Sequence, residues 1–339
     1  MAARAFIASV SGTVLTAAER DFLRAARPWG LILFKRNIET PEQVRALVAA
    51  FRSAVGSQAP VLIDQEGGRV QRLGPPHWPV YPAGAAYGRL YDRDPGLGCA
   101  AARLGARLIA ADLAALDIDV DCLPLADVPV SAADPVIGDR AYGETPAKVA
   151  AIAAAVAEGL LEGGVLPVLK HLPGHGRATV DSHETLPLVA ADRATLEATD
   201  FVAFRSLAHL PLGMTAHVVF TAFDPVCPAT TSAAVIGTVI RSLIGFSGAL
   251  MSDDLGMGAL SGTTAERTRA ALAAGCDLVL HCSGKIEELE TVAAEVPELS
   301  GIAAERCARA LAARRPPSDL DVGARARFST MMAGELARG

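Results

Sequence analysis

Several features are missing from this chain, and each absence removes a class of protein. No two of its six cysteines stand in a C-x-x-C spacing. Most lie in apolar surroundings, which suits free thiols in a reducing compartment rather than a disulfide framework. No stripe or cluster of Lys and Arg occurs, and the net charge of −6 is spread over intermixed acids and bases. A nucleic-acid or membrane-surface partner is therefore not expected. No apolar stretch is long and unbroken enough to span a bilayer, since the greasiest region, Val149 to Leu169, contains Glu158, Glu162, Gly163 and Gly164. The run from Ala5 to Val10, after Arg4, imitates a signal peptide, but Ser9, Ser11 and Gly12 break it. It reads as a first strand, and the protein as cytoplasmic. No G-x-G-x-x-G follows that strand, and neither H-E-x-x-H nor H-x-H appears anywhere.

What is present is a regular alternation. Hydrophobic residues make up 51% of the 339, enough for a large core. Short continuous apolar runs read as strands: Phe6 to Val10, Gly30 to Phe34, Val61 to Ile63, Ile118 to Leu123, Val165 to Leu169, Leu212 to Ala216, Gly248 to Met251 and Cys276 to Leu280. Helical patterns separate them, several with start signals, such as Thr16 with Glu19 three residues on, and Thr40 before Pro41. Strands buried on both faces are continuous rather than alternating, which marks a parallel sheet covered by helices. Eight such units predict a closed α/β barrel of the TIM type, a single-domain (β/α)8 fold, which takes ~250 residues plus insertions. An open doubly wound sheet is the alternative. The barrel is assigned to residues 1–314, and 315–339 to a loosely attached tail.

In such a barrel the C-terminal ends of all strands open on one face, where active sites are built. Asp64, Arg140, Lys170, His171, His217 and Asp253 are expected to converge there. A carboxylate such as Asp64 can accept hydrogen bonds from two vicinal hydroxyls, the usual grip on a sugar; it can equally be an ion-pair partner of Arg69 or Arg72. Lys170 and His171 offer donors, although a lysine ending a strand is commonly solvent-exposed. Asp181 and His183, two apart, share a face in an extended segment, and a carboxylate beside an imidazole makes a proton donor near neutral pH. Gly174 and Gly176 suggest that this segment swings over a pocket. Of the adjacent Asp253 and Asp254, one suits a nucleophile and the other a structural role such as a helix cap. His171, His175, Asp181, His183 and His217 also contain the donors of a zinc site, though in loose spacings.

With these residues in place the chain resembles the bacterial β-N-acetylglucosaminidases of glycoside hydrolase family three, single-domain enzymes of cell-wall recycling. The resemblance runs from the first strand to about residue 310. It is carried by Leu33 to Asn37, Ile63 to Arg72, Ile137 to Arg140, Lys170 to Gly176, Asp181-Ser182-His183 and Ser252 to Leu255. It implies Asp253 as the nucleophile of a covalent glycosyl-enzyme, and His183 with Asp181 as an acid–base dyad on a mobile loop. Asp64, Arg72, Arg140, Lys170 and His171 would bind the terminal N-acetylglucosamine. It further implies retention of configuration, no metal, and muropeptides derived from peptidoglycan as substrates; a monomer without a cofactor is expected. A phosphorylase on the same scaffold and a non-catalytic sugar-binding barrel are the alternatives.

Overall fold

The computed structural model describes residues 2–56, 58–131 and 133–336. Eight parallel strands close into a barrel: β1 (Arg4–Ala8), β2 (Pro28–Leu33), β3 (Val61–Ile63), β4 (Val120–Asp121), β5 (Leu166–Leu172), β6 (Leu212–Thr215), β7 (Ala249–Asp254) and β8 (Leu278–Leu280). Each strand pairs with its neighbours in chain order, and β8 returns to β1 through Phe6 opposite Val279. The (β/α)8 expectation holds. Among the described residues no helix is long and apolar enough to cross a membrane.

The expected helix starts are present. Thr16 and Glu19 form a reciprocal capping box at α1 (Ala17–Ala26), and Thr40 caps α2 (Pro41–Val55) with proline in its first turn. Such caps satisfy amides that have no partner inside the helix. The helical stretch between β5 and β6 is divided at Thr199 into Arg193–Ala198 and Asp200–Ser206. At the N-terminal face of the barrel, Asp119 takes salt bridges from both Arg52 and Arg314 and accepts from the amide of Val61. It thereby ties the third and fourth barrel strands to the end of the last barrel helix.

The strand period decides what enters the barrel. Successive side chains point to opposite faces. Leu62, Val168 and Met251 belong to the inner cluster, whereas Ile63, Leu169 and Leu250 pack outward against the helices. Two residues beyond each inward member stand Asp64, Lys170 and Asp253. The same alternation that builds the apolar core therefore places three charged groups in the next layer toward the C-terminal face.

The segment after Arg314 is not a loose tail. Residues Ala324–Leu336 form a helix that packs on Gly84–Arg93 and Pro95–Ala114. Phe328 and Met332 are buried, with the Phe328 ring 6.3 Å from that of Tyr81 and 6.4 Å from that of Tyr87. Glu335 pairs with Arg89 and Arg93. Ala324, Phe328, Met332 and Glu335 are the buried positions, a spacing of one helical face.

Candidate active site

A cavity of about 360 Å³ opens at the C-terminal face, within the range of small-ligand pockets. Asp64, Arg72, Arg140, Lys170, His171, Asp181, His183 and Asp253 all line it. His217 does not. It is fully buried, pairs with Thr230 at 2.7 Å and reaches the carbonyl of Asp254 at 2.9 Å. It supports the end of β7 from behind, because a wholly buried imidazole satisfies both nitrogens within the protein.

The floor is a network of charges. Lys170, 2% exposed, lies 3.1 Å from Asp64 and 2.6 Å from Glu66. Glu66 also receives Nε and Nη2 of Arg140, both at 2.8 Å, the forked geometry that makes Arg–carboxylate pairs strong. Asp64 takes Arg72 at 2.9 Å, and Arg72 lies over the Phe34 ring, 5.4 Å from its centre. Gln65, between the two acids, accepts the amides of Arg72 and Leu73 with its side-chain oxygen and so fixes the short turn that returns Arg72 to the site.

Burial pushes the carboxyls of Asp64 and Glu66 up, but the adjacent cations outweigh it. Asp64 is held well below the usual carboxylate range and Glu66 at about 2. For Lys170 burial pushes the ammonium down, and Glu66 and Asp64 reverse the shift and raise it. Three cations thus face two anions in the floor. A carboxyl with a depressed folded pKa contributes stability that is full above its unfolded value, near ~4. That contribution is lost as pH falls through the folded value. The thermal midpoint is therefore expected to drop between about pH 4 and pH 2, and Glu66→Gln to flatten that drop; an unchanged slope in the variant would remove Glu66 from the account.

The strand β5 extends beyond Leu169, carrying Lys170 and His171 within it. The peptide joining these two residues is cis, and both line the cavity. Asp127 accepts from His171 at Nδ1, at 2.7 Å, and from the amide of His175 at 2.7 Å. Burial raises its pKa, but the His171 contacts win and the group is lowered. Nδ1 of His171 therefore carries the proton, and Nε2 is the nitrogen left for a ligand.

Asp253 closes one wall. Its Oδ1 accepts from the amide of Asp254 at 2.8 Å. Burial alone would raise its pKa; His217, His171 and Lys170 nearby, with that amide, lower it, so the carboxylate is ionised at neutral pH. Asp254 is the structural member of the pair: its Oδ1 accepts from the amides of Gly256 and Cys282 at 2.9 and 3.0 Å. It caps no helix, since the next one, Thr264–Ala274, is capped by Thr263.

The remaining wall is the dyad. Nδ1 of His183 meets Oδ1 of Asp181 at 2.7 Å, and the same oxygen accepts the His183 amide at 2.8 Å. The carboxyl of Asp181 is raised by burial but lowered overall by its bonds to His183. This fixes the Nδ1–H tautomer and leaves Nε2 for proton transfer. The His183 side chain is 65% exposed, in contrast to the floor. Gly176, on the approach to the dyad, is closely packed: a Cβ there would stand 2.1 Å from the carbonyl oxygen of Val128. That glycine permits close packing, and Val130 donates to its carbonyl at 3.1 Å.

Glu66 and Asp127 were not singled out from the sequence. Glu66 is legible in retrospect: it stands two residues after Asp64, with Arg140 and Lys170 as cations needing partners. Asp127 lies in irregular chain after β4 and carries no local signal.

The family model of the Glycosyl hydrolase family 3 N terminal domain matches residues 10–313. A β-hexosaminidase of Alkalilimnicola ehrlichii is 42% identical over 278 residues, covering 81% of this chain and 79% of its own. One from Chromobacterium violaceum is 38% identical over 304 residues, covering 88% and 84%. Among solved structures, NagZ from Neisseria gonorrhoeae in complex with N-trifluoroacetyl-D-glucosamine aligns with a TM-score of 0.88 at 29% identity, covering 98% of each chain.

Proposed function

This chain belongs to glycoside hydrolase family 3, and from that premise we propose that it is a retaining exo-β-N-acetylglucosaminidase acting on muropeptides released from peptidoglycan. The observation that carries the reading is that one cavity is lined by a half-buried carboxylate, an imidazole–carboxylate pair and a floor of charged side chains. The names of the relatives, and the glucosamine derivative bound to the gonococcal protein, support the choice of sugar. The floor formed by Asp64, Glu66 and Lys170 favours a terminal residue, with the aglycone leaving past His183. The muropeptide and a place in cytoplasmic cell-wall recycling rest on the resemblance set out above, and the protein is taken to act as a monomer without a metal.

In the first half of the reaction Asp253 attacks the anomeric carbon through an oxocarbenium-like transition state, and the glycosidic bond breaks. Its oxygen leaves with the proton from His183, whose imidazole was protonated at the start. Asp181 stabilises that imidazolium. In the second half the now neutral His183 takes a proton from water, the hydroxide oxygen bonds to the anomeric carbon, and the Asp253 carboxylate departs. Two displacements return the β configuration. Asp64, Arg72, Arg140, Lys170 and His171 hold the sugar hydroxyls and acetamido group against both steps.

The test is turnover of a nitrophenyl β-N-acetylglucosaminide followed by proton NMR. β-N-acetylglucosamine is expected as the first-formed product. First appearance of the α anomer, or no release of the sugar, would overturn the proposal. The same assay with inorganic phosphate separates the phosphorylase: an anomeric sugar phosphate in place of free sugar would assign that activity instead.

A further inference from the structure

An exposed imidazole is a poor proton donor unless something registers it against the bond to be cleaved. Small misplacements of reacting groups cost large factors in rate. Between Asp181 and His183 stands Ser182, which is buried, and its Oγ meets Nε2 of His175 at 2.9 Å. His175 is buried as well, and its amide is anchored on Asp127. Burial and the neighbouring His171 lower its imidazole pKa to about 4, so the ring is neutral at working pH. From the other side, the amides of Gly258 and Ala259, in the turn after β7, donate to the carbonyls of His183 and Ser182 at 3.1 and 3.2 Å. A Cβ on Gly258 would stand 2.8 Å from the carbonyl oxygens of both His183 and Glu184, closer than side-chain carbons approach.

We propose that Ser182 is a positioning residue for the acid–base dyad, clamped between His175 and the Gly258–Ala259 turn, so that the proton donor is registered against the strand that carries the nucleophile. The proposal rests on the reading of His183 as the proton donor. The clamp explains how a side chain open to solvent keeps a defined place beside a cavity whose floor is rigid. It also gives His175 a task. The Ser182–His175 pair is not a nucleophilic triad, because Nδ1 of His175 has no hydrogen-bond partner among the described residues. A triad base has its second nitrogen oriented by a third group, and here the Ser182 hydroxyl is committed to His175.

The experiment compares Ser182→Ala, Ser182→Thr and Gly258→Ala with the parent on two substrates. One is the nitrophenyl glycoside, whose leaving oxygen departs readily without a proton; the other is a disaccharide, whose leaving oxygen needs one. Ser182→Ala is expected to lose about tenfold more kcat/KM on the disaccharide than on the aryl glycoside. Ser182→Thr, which keeps the hydroxyl, restores most of that difference, and Gly258→Ala shows the same bias. Thermal midpoints are recorded for each; if Gly258→Ala lowers its own markedly, the serine pair carries the test. Equal losses on both substrates, or none, overturn the proposal. His183→Ala in the same assay separates the two ideas. If His183→Ala shows the bias and Ser182→Ala does not, the clamp is wrong and the dyad stands. If His183→Ala shows no bias, the dyad fails and the clamp with it.

Discussion

Replacing Asp253 by Ala is expected to lower kcat by roughly 10⁴-fold or more, with the fold intact, because its proposed role as covalent nucleophile enters both halves of the reaction. The side chain lies at the inward position two residues beyond Met251, and the amide of Asp254, with His217, His171 and Lys170 nearby, lowers its pKa. The other carboxylates lining the cavity are engaged elsewhere: Asp64 and Glu66 with Lys170, Arg72 and Arg140, Asp181 with His183, and Asp254 with two backbone amides. Azide makes the test specific. In the Ala variant a small anion has room where the carboxylate was and attacks the substrate directly, so an α-glycosyl azide is the expected product. A fluorosugar that traps the parent should modify Asp253 and leave the variant unmodified. Turnover by Asp253→Ala above about a hundredth of the parent value would move the nucleophile elsewhere.

His183→Ala is the second large effect, and its size depends on the substrate. Removing a general acid costs about 10²- to 10⁴-fold where the leaving group needs its proton, and far less for nitrophenolate. The second half of the reaction still lacks its base, so the aryl glycoside should show a rapid burst followed by slow release. Azide here intercepts the glycosyl-enzyme from the face opposite Asp253 and gives the β-glycosyl azide. The two variants therefore yield opposite anomers with one reagent. Identical losses on the aryl glycoside and the disaccharide, with no burst, would take the proton-transfer role away from His183. Asp181→Ala follows the same bias more weakly, since Asp181 acts through the imidazole it orients.

The strands were readable because a parallel barrel buries both faces, which leaves uninterrupted runs of Val, Leu and Ile with few competing explanations. Their ends were less so. Val165 to Leu169 looked complete because Lys170 and His171 are polar, yet the backbone pairing continues through Leu172; polarity marks the site there and not the end of the strand. Asp64, Lys170 and Asp253 were recognisable as strand-end charges, and counting by two from Leu62, Val168 and Met251 gives their inward direction as well. His217 misled for the same reason: a strand-end histidine looks like a ligand group until Thr230 and the Asp254 carbonyl occupy both its nitrogens. The C-terminal helix is hard to read although Ala324, Phe328 and Met332 repeat every four residues, because the chain between them is mostly polar and the surface that receives them comes from Tyr81 and Tyr87, far away in sequence. Asp127 and the Ser182–His175 contact belong to the same class: they depend on which loops meet above the barrel.

The cavity is unevenly built, with a floor locked by buried ion pairs and a His183 side open to solvent. An inhibitor that merely copies the sugar ring would meet only the locked part, and would recognise any relative that keeps those same charges. Discrimination between this protein and its relatives should therefore come from groups that extend past the imidazole, beyond the locked floor.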